Sequence, residues 1–191
     1  VILNGWVNKV RLHGQVVFID LRDRYGKTQI VFDADNYDGE FEEIKKISIE
    51  DVLSVKGLVR PRIGSAKNPN LSTGTIEVIV SEFIMLSESA PLPFMLDNRD
   101  NAEENLRLKY RYLELRMEEL QKNILIRHKT YQATRNYLSE NQFVEVETPI
   151  LMKSTPEGAR DYLVPSRVHR GKFYALPQSP QIYKQILMIS G

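Results

Sequence analysis

The first 90 residues carry apolar side chains in short runs that alternate with polar ones, a pattern that predicts β-strands. The runs are bounded by turn residues such as Gly26, or by a segment rich in glycine, proline and asparagine at 61–74. One stretch, residues 40–47, has its apolar residues at helical spacing instead. The predicted strands span residues 5–10, 16–22, 28–32, 52–59 and 75–86.

Beyond residue 90 the apolar positions recur mainly at helical spacing. Pro91 and Pro93 favour a stiff linker, because proline fixes φ and disfavours helix in the residue before it. Asn141 is suited to end the second helix, and Ser179 is suited to cap the last one with Pro180 at its first position. The predicted helices span 103–117, 120–138 and the residues from 180 onward, and the predicted strands span 143–149 and 173–176.

Five strands with a short helix between the third and the fourth is the order of an all-β OB-fold barrel. Such barrels commonly bind single-stranded nucleic acid through a face of strands and their loops. We therefore expect a barrel at 1–90, a linker at 91–116 and part of a second domain at 117–191. Because the chain begins inside an apparent strand without methionine and ends after an apolar run, we expect it to belong to a longer protein.

Residues on or beside the first three predicted strands have side chains suited to contact unpaired bases. Phe18 can stack on a base, Gln29 can donate and accept hydrogen bonds at a base edge, and Arg11 can contact phosphate or guanine. Arg60 and Arg62 are spaced to point to the same side of a strand end. The same pattern also fits a core phenylalanine with solvated arginines, and composition alone leaves both interpretations open.

Charge and composition exclude several classes of protein. The 191 residues contain 26 Lys and Arg against 25 Asp and Glu, which excludes nucleic-acid binding through bulk positive charge. The absence of cysteine excludes disulfides, cysteine-based zinc sites and cysteine nucleophiles, and the three isolated histidines lack metal-ligand spacing. No apolar run approaches the ~20 residues that span a bilayer, and no leader opens the chain, so we expect a cytoplasmic protein with no membrane partner. A mature organellar protein would have the same features.

Three segments of the second half carry candidate chemistry. Gln181 and Lys184 are neighbours at i and i+3 on the last predicted helix, so both can project into one pocket, where Lys184 would bind a carboxylate. The polar loop 155–162 is typical of a mobile lid that brings a carboxylate to a substrate ammonium. Residues 143–151 combine an apolar stripe with a strand end. The same residues also fit a solvated face of the last helix, a plain surface loop at 155–162, and ordinary core or a dimer contact at 143–151. The sequence alone leaves these alternatives open.

These strings together resemble the bacterial-type aspartyl-tRNA synthetases, which are class II aminoacyl-tRNA synthetases. The resemblance begins at residues 5–7 and 18–23 and includes residues 109–116, which resemble the family's segment between barrel and catalytic domain. Residues 143–149 resemble motif 1, residues 155–167 resemble the flipping loop, and residues 178–184 resemble the aspartate-recognition helix. The resemblance implies that an α+β catalytic domain, an antiparallel sheet with helices, begins after the barrel and is truncated before motif 2.

The resemblance also implies roles for matched positions. Glu157 would contact the α-ammonium of L-aspartate, Ser179 and Gln181 would line its pocket, and Lys184 would pair with the side-chain carboxylate. Pro149 would lie at a homodimer interface. No residue is assigned as a catalytic group or a metal ligand. The residues that would bind the anticodon are Arg11, Phe18, Gln29, Arg60 and Arg62.

The activity implied by the resemblance is that of an aspartate–tRNA ligase, which uses ATP and Mg²⁺ to form aspartyl-adenylate and then charges tRNA(Asp). Since motifs 2 and 3 would follow Gly191, we expect the chain alone to be inactive. His13 suggests a variant that also charges tRNA(Asn), although a solvated loop histidine explains it as well. A module that only binds the tRNA anticodon, or an asparaginyl or lysyl synthetase, would also account for parts of this pattern.

Overall fold

The computed structural model describes residues 1–35, 37, 39–98, 100, 102–155 and 160–191. The chain divides into two compact units, Val1–Glu114 and Leu115–Gly191, and each is described by itself.

The first unit is built on a closed five-stranded barrel in the order β1-β2-β3-β5-β4. β3 and β5 pair in parallel, while the other neighbouring strands pair antiparallel. This closure and the position of the helix α1 between β3 and β4 confirm the predicted OB-fold. The elements are β1 (Ile2–His13), β2 (Val16–Arg22), β3 (Lys27–Asp33), α1 (Phe41–Ile44), β4 (Val52–Pro61), a 3₁₀ turn (Gly64–Ala66) and β5 (Ile76–Ser87).

Alternation along the strands sets the barrel core. Ile19 and Ile30 are fully buried in β2 and β3, where they pair across the two strands, and Phe32 is buried two residues further on. Gly57 is required at its place in β4, because a Cβ atom there would lie 2.1 Å from the carbonyl oxygen of Ile79. The inward residues therefore form one core, and the residues between them face outward along the same strands.

A buried polar cluster holds one end of the barrel. The guanidinium of Arg22 lies 2.8 Å from a carboxylate oxygen of Glu50, which has a φ of 70°. The carboxylate of the next residue, Asp51, accepts backbone hydrogen bonds from Ser48 and from Ser89, both at 2.7 Å. Asp51 therefore ties the loop before β4 to the chain that leaves β5.

The helix predicted at 103–117 is broken into two short ones, α2 (Glu104–Lys109) and α3 (Arg111–Glu114). The break lies at Tyr110, whose ψ of 43° is not helical. The Glu114 side chain is 1% exposed and forms ion pairs with Arg111 and Arg107. The spacing of the apolar residues predicted one continuous helix, because it carries no information about the ion pairs that Glu114 forms in the folded chain.

The second unit contains α4 (Glu118–Glu140), a two-stranded antiparallel sheet of β6 (Tyr162–Pro165) and β7 (Phe173–Leu176), and α5 (Gln181–Ile189). The predicted C-cap of α4 is confirmed, since the side-chain amide of Asn141 donates to the Tyr137 carbonyl at 2.8 Å. β7 was predicted from the sequence, but β6 was not.

Two local predictions in this unit are wrong. Residues 143–149 do not form a strand, because no neighbouring strand among the described residues pairs with their backbone, and Val144 is 84% exposed. Ser179 does not cap α5; the N-cap is Pro180, and the helix begins at Gln181. Proline holds the preceding residue out of helical geometry, so the Ser179 hydroxyl lies one residue too early to reach the first free N–H groups.

Candidate functional site

A row of polar side chains crosses the outer face of the barrel. The Arg11 guanidinium on β1 donates from Nη2 to Asp20 Oδ1 at 2.6 Å and to Gln29 Oε1 at 3.1 Å. Gln29 Nε2 then donates to Glu77 Oε2 at 2.8 Å. On the next strand, Arg60 donates from Nη2 to Glu77 Oε1 at 2.7 Å. The polar row, defined by these five residues, joins all five strands through side-chain contacts.

The members of the polar row differ in exposure, and this difference sets what each can offer. Asp20, Gln29 and Glu77 are 5–7% exposed. Arg60 is 56% exposed at its side chain and so remains open to a ligand. Because every buried member is hydrogen-bonded to a neighbour, the row presents its groups in fixed directions.

Arg62 lies just beyond β4 at the edge of the polar row. Its side chain is 9% exposed, and its Nε lies 4.0 Å from Glu77 Oε2. Within the described part of the chain, Arg62 Nε and Nη1 have no hydrogen-bond partner. A buried guanidinium in this condition can donate to an added acceptor without breaking an existing bond.

An apolar row runs beside the polar one on the same face. Phe18 pairs with Val31 across β2 and β3, Val31 pairs with Ile79 across β3 and β5, and Ile79 pairs with Leu58 across β5 and β4. Phe18 is half-buried, whereas Leu58 is 77% exposed. The ring of His13 contacts Phe18 edge-on, with 5.9 Å between ring centroids.

The two rows together supply the two interactions that recognise a splayed base. An accessible aromatic ring can stack on the flat face of a base, and fixed donors and acceptors beside it can bond to the base edge. The structure brings Arg11, Phe18 and Gln29 together, and it places Arg60 and Arg62 at the other end of the polar row.

Sequence reasoning missed Asp20 and Glu77, the two carboxylates that hold this row in place. A signal for them was available, because each is an acidic residue at an outward position of an otherwise apolar strand. Their partners were not predictable from spacing, since Gln29 and Glu77 are 48 residues apart in the chain.

The predicted amino-acid pocket is only partly described. Gln181 and Lys184 lie one turn apart at the beginning of α5, both accessible to solvent, and Ser179 lies in the loop just before it. Glu157 lies outside the described residues. Within the described ranges no carboxylate pairs with the Lys184 ammonium, so its charge is available to a ligand.

Pro149 lies close to the beginning of α5. Together with neighbouring residues it lines a shallow depression of about 240 Å³. The lining residues are Thr148, Pro149, Ile150, Leu176, Pro177 and Pro180. The structure therefore brings the segment that resembles motif 1 next to the segment that resembles the aspartate-recognition helix.

One perturbed cation connects α4 to the same segment. Arg135 Nε donates to both carboxylate oxygens of Glu145, at 2.9 and 3.1 Å. The hydrogen bond with Glu145, and then the charge of that carboxylate, raise the pKa of the Arg135 guanidinium above its ordinary value. This exposed ion pair joins α4 to the segment 143–149.

The described ranges contain no metal-ion cluster and no membrane-spanning helix. No three histidine, aspartate or glutamate side chains there converge to hold a metal ion. None of the helices in those ranges is long and apolar enough to cross a membrane.

Both halves of the chain match known families. Residues 1–86 match the model of the OB-fold nucleic acid binding domain, and residues 103–191 match that of the class II tRNA synthetases for D, K and N. The match to the class II tRNA synthetases thus covers the second half of the chain. The second unit is thus the beginning of the catalytic domain of this family.

The similar curated proteins narrow the resemblance within this synthetase family. The Aspartate--tRNA(Asp/Asn) ligase of Geotalea uraniireducens is 55% identical over 191 residues, which is all of this chain and 32% of that protein. The protein of the same name from Salinibacter ruber is 53% identical over 195 residues, again all of this chain and 31% of its own length. These matches confirm the resemblance to bacterial-type aspartyl-tRNA synthetases. The chain spans about a third of the length of these relatives.

Solved structures share the fold of this chain. The asparaginyl-tRNA synthetase from Pyrococcus horikoshii complexed with asparaginyl-adenylate has a TM-score of 0.84 and 27% identity. The match covers 99% of this chain and 42% of that one. A putative aspartyl-tRNA synthetase from Leishmania major Friedlin matches with the same TM-score at 23% identity, over 98% of this chain and 37% of that one, which supports the fold alone.

Proposed function

We propose that this chain is the anticodon-binding and amino-acid-recognition part of an aspartate–tRNA ligase. The whole protein would form aspartyl-adenylate from L-aspartate and ATP and then transfer the aspartyl group to the 3′ end of tRNA(Asp). The observation that carries the proposal is the juxtaposition of Phe18 with the Arg11–Gln29 hydrogen bond on one barrel face. The names of the curated relatives support the same activity.

At the anticodon, Phe18 would stack on an unpaired base while the polar row bonds to base edges. Arg11 and Gln29 bond to each other and, respectively, to Asp20 and Glu77, so their side chains need little ordering when RNA binds. Arg60 and Arg62 would add contacts to phosphate or base at the β4 end. Residues 1–90 hold 11 basic and 13 acidic side chains, so the barrel has no net positive charge that would attract RNA. Its affinity for RNA would therefore depend on individual side chains at defined positions.

At the amino-acid site, Lys184 would pair with the side-chain carboxylate of aspartate. This selects against asparagine, because the neutral amide would leave the ammonium unpaired once water is excluded. Gln181 lies on the same helix face, one turn away, and would orient the substrate together with Ser179. Glu157 would contact the substrate ammonium from the loop before β6.

ATP and Mg²⁺ belong to the proposal for the whole protein. The described residues form no carboxylate cluster that would hold Mg²⁺. We also propose a homodimer with Pro149 at its interface. The activity itself places the protein in the cytoplasm, where bacterial translation takes place.

A second specificity is favoured by one contact. His13 lies edge-on to Phe18, so it stands beside a proposed base-stacking site. The curated relatives carry the name Aspartate--tRNA(Asp/Asn) ligase. We propose that the whole protein also charges tRNA(Asn), and aminoacylation assays with both tRNAs decide this. Strict rejection of tRNA(Asn) would exclude the second specificity.

The test of anticodon binding is the Phe18→Ala variant of the 191-residue chain, titrated against a labelled anticodon stem-loop of tRNA(Asp). Loss of one base stack is worth about 1–3 kcal/mol, so the affinity should fall roughly 5- to 150-fold. Ile84→Ala removes an apolar side chain, 63% exposed, from another part of the barrel and serves as the matched control. Equal affinities of the Phe18→Ala variant and the original chain would refute this use of the face.

A further inference from the structure

The turn between β6 and β7 carries several positively charged side chains and no acidic one. We define the basic tip as residues 166–172, which include Arg167, Arg170 and Lys172 together with His169. From Tyr162 to Gly191 the chain has no aspartate or glutamate, so this positive charge has no neutralising residue in the surrounding sequence. A local concentration of cations of this kind attracts a polyanion.

The cations of the basic tip are free to bind a ligand. Arg167, Arg170 and Lys172 are all exposed, and within the described ranges none of them pairs with a carboxylate. The barrel provides a contrast, because several of its cations pair with barrel carboxylates. Barrel ion pairs join Arg11 to Asp20, Arg22 to Glu50, Lys56 to Glu82, and Arg60 to Glu77.

The basic tip is also held in one shape by its own hydrogen bonds. The Ser166 N–H donates to the Lys172 carbonyl at 2.9 Å, and the His169 N–H donates to the Ser166 hydroxyl at 3.0 Å. Gly171 supplies a φ of 74°, which is the left-handed conformation that the turn needs. Cations on an ordered turn lose less freedom on binding than cations on a flexible tail.

The basic tip lies at one end of the β6–β7 hairpin, and the chain that carries the residues proposed to bind aspartate leaves from its other end. The pair Tyr162 and Leu176 forms its open end, and the pair Pro165 and Phe173 precedes the tip. Leu176 leads into the loop with Ser179 and then to Lys184. Four paired positions at about 3.4 Å each put roughly 10–14 Å between the two ends.

We infer that the basic tip binds the phosphate backbone of the tRNA acceptor arm. The inference rests on the proposed function, in which aspartate is joined to the 3′ end of this arm. The residues proposed to bind aspartate lie in the same unit as the basic tip. A hairpin that holds the amino-acid site at one end brings the cations at its other end within reach of phosphates further down the arm. Contacts to phosphate add affinity and fix orientation without reading sequence.

The test uses the 191-residue chain and two RNA probes, an acceptor-arm minihelix and the anticodon stem-loop. The variant R167A/R170A/K172A removes the three cations, and K122A/R127A/K129A removes the same charge from exposed positions on α4. Affinities are measured by fluorescence anisotropy between about 50 and 200 mM salt. If each cation contacts one phosphate, the slope of log K against log salt should become shallower by about 2–3.

For the minihelix, we expect the tip variant to bind on the order of 10-fold or more weakly at about 0.1 M salt, and the α4 variant to bind like the original chain. For the anticodon stem-loop, the tip variant should retain its affinity while Phe18→Ala loses it. The charge-preserving variant R167K/R170K should restore most of the minihelix affinity.

Three results would overturn the inference. Unchanged minihelix affinity and salt slope in the tip variant would do so, and anticodon binding that still depends on Phe18 would then leave the proposed function intact. Equal losses in the tip and α4 variants would assign the effect to general charge. If sedimentation shows that the tip variant loses only self-association, the tip contacts a second copy of the chain. Failure of the unaltered chain to bind either probe would instead refute the proposed function.

Discussion

The barrel and the second unit use their side chains in opposite ways. The barrel buries its apolar residues in one core and pairs its outward cations with carboxylates, as in the Arg11–Asp20 and Arg60–Glu77 pairs. In the second unit, Ile124 and Ile126 of α4 are about half exposed, and the cations of the basic tip have no described partner. The barrel fixes its functional groups internally, whereas the second unit, which matches only the beginning of a catalytic domain, leaves apolar and charged side chains exposed.

This difference also bears on the proposed binding of RNA by a chain of nearly neutral charge. Residues 1–90 have two more acidic than basic side chains, and residues 91–191 have three more basic than acidic ones. The proposed contacts at the anticodon therefore depend on geometry and stacking, while those at the acceptor arm depend on charge. Salt should weaken the second kind of contact more than the first.

The largest expected difference between the units is in the response to truncated apolar residues. Ile19→Ala leaves a cavity in the barrel core and should lower the free energy of unfolding by about 2–5 kcal/mol. Ile124→Ala in α4 removes a side chain that is 50% exposed and should change it by at most about 0.5 kcal/mol. The measurement is chemical denaturation, followed for the barrel by the fluorescence of Trp6, the single tryptophan.

Two controls keep this result interpretable. The unfolding of α4 is followed separately by circular dichroism, since Trp6 lies in β1 and reports on the barrel. Similar losses for both isoleucine variants would show that the second unit is packed as tightly as the barrel, contrary to the comparison.

A smaller effect is expected from the carboxylate at the centre of the polar row. Glu77→Ala removes the acceptor for Gln29 and Arg60, and it leaves the buried Arg62 guanidinium without its nearest anion. Unsatisfied buried donors should cost about 1–3 kcal/mol in unfolding free energy. Affinity for the anticodon stem-loop should fall as well, because Gln29 loses the contact that orients it.

The matched control for this variant is Glu82→Ala, which removes an exposed partner of Lys56 in the same barrel. An exposed ion pair contributes at most about 1 kcal/mol, so the two variants should be clearly separated. Equal stability of both variants would indicate that the polar row is solvated and not preorganised.

The smallest effect concerns pH. Burial raises the pKa of the Tyr37 hydroxyl above its ordinary value of 10.0, and the charge of Glu43 raises it further. The folded barrel therefore favours neutral tyrosine, and this contribution is present below the ordinary pKa and lost as pH rises through the folded-state pKa. Tyr37→Phe preserves the ring contacts with Phe32 and Phe83 but cannot ionise.

Denaturation at about pH 9 and about pH 11 tests this assignment. Over this interval the original chain should lose more stability than Tyr37→Phe. The reason is that Tyr37 ionises more readily in the unfolded chain and thereby stabilises the unfolded state, whereas phenylalanine cannot ionise. Other tyrosines and lysines titrate in both proteins and cancel in the difference. Equal losses of stability in the two proteins would show that folding does not change the pKa of Tyr37.

Most of the barrel followed from the sequence because its strands carry a local signal. The limits of β2 were predicted to the residue, and those of β3 to within one residue, since apolar and β-branched runs end at turn residues there. Phe18 and Gln29 were likewise recognisable, because residue type and strand position already limit what such side chains can do. The roles assigned to them stay predictions until binding is measured.

Only the tertiary structure decided which groups meet. The Gln29–Glu77 bond depends on the parallel pairing of β3 with β5, which no local pattern encodes. The same holds for the break at Tyr110 and for residues 143–149, where local apolar spacing predicted regular structure. A segment becomes a strand or a helix only if its backbone and side chains find partners, and those partners are supplied by distant parts of the chain. The sequence by itself therefore determined the order of the barrel elements and the types of candidate side chains, while the fold determined their partners and which cations have no carboxylate partner among the described residues.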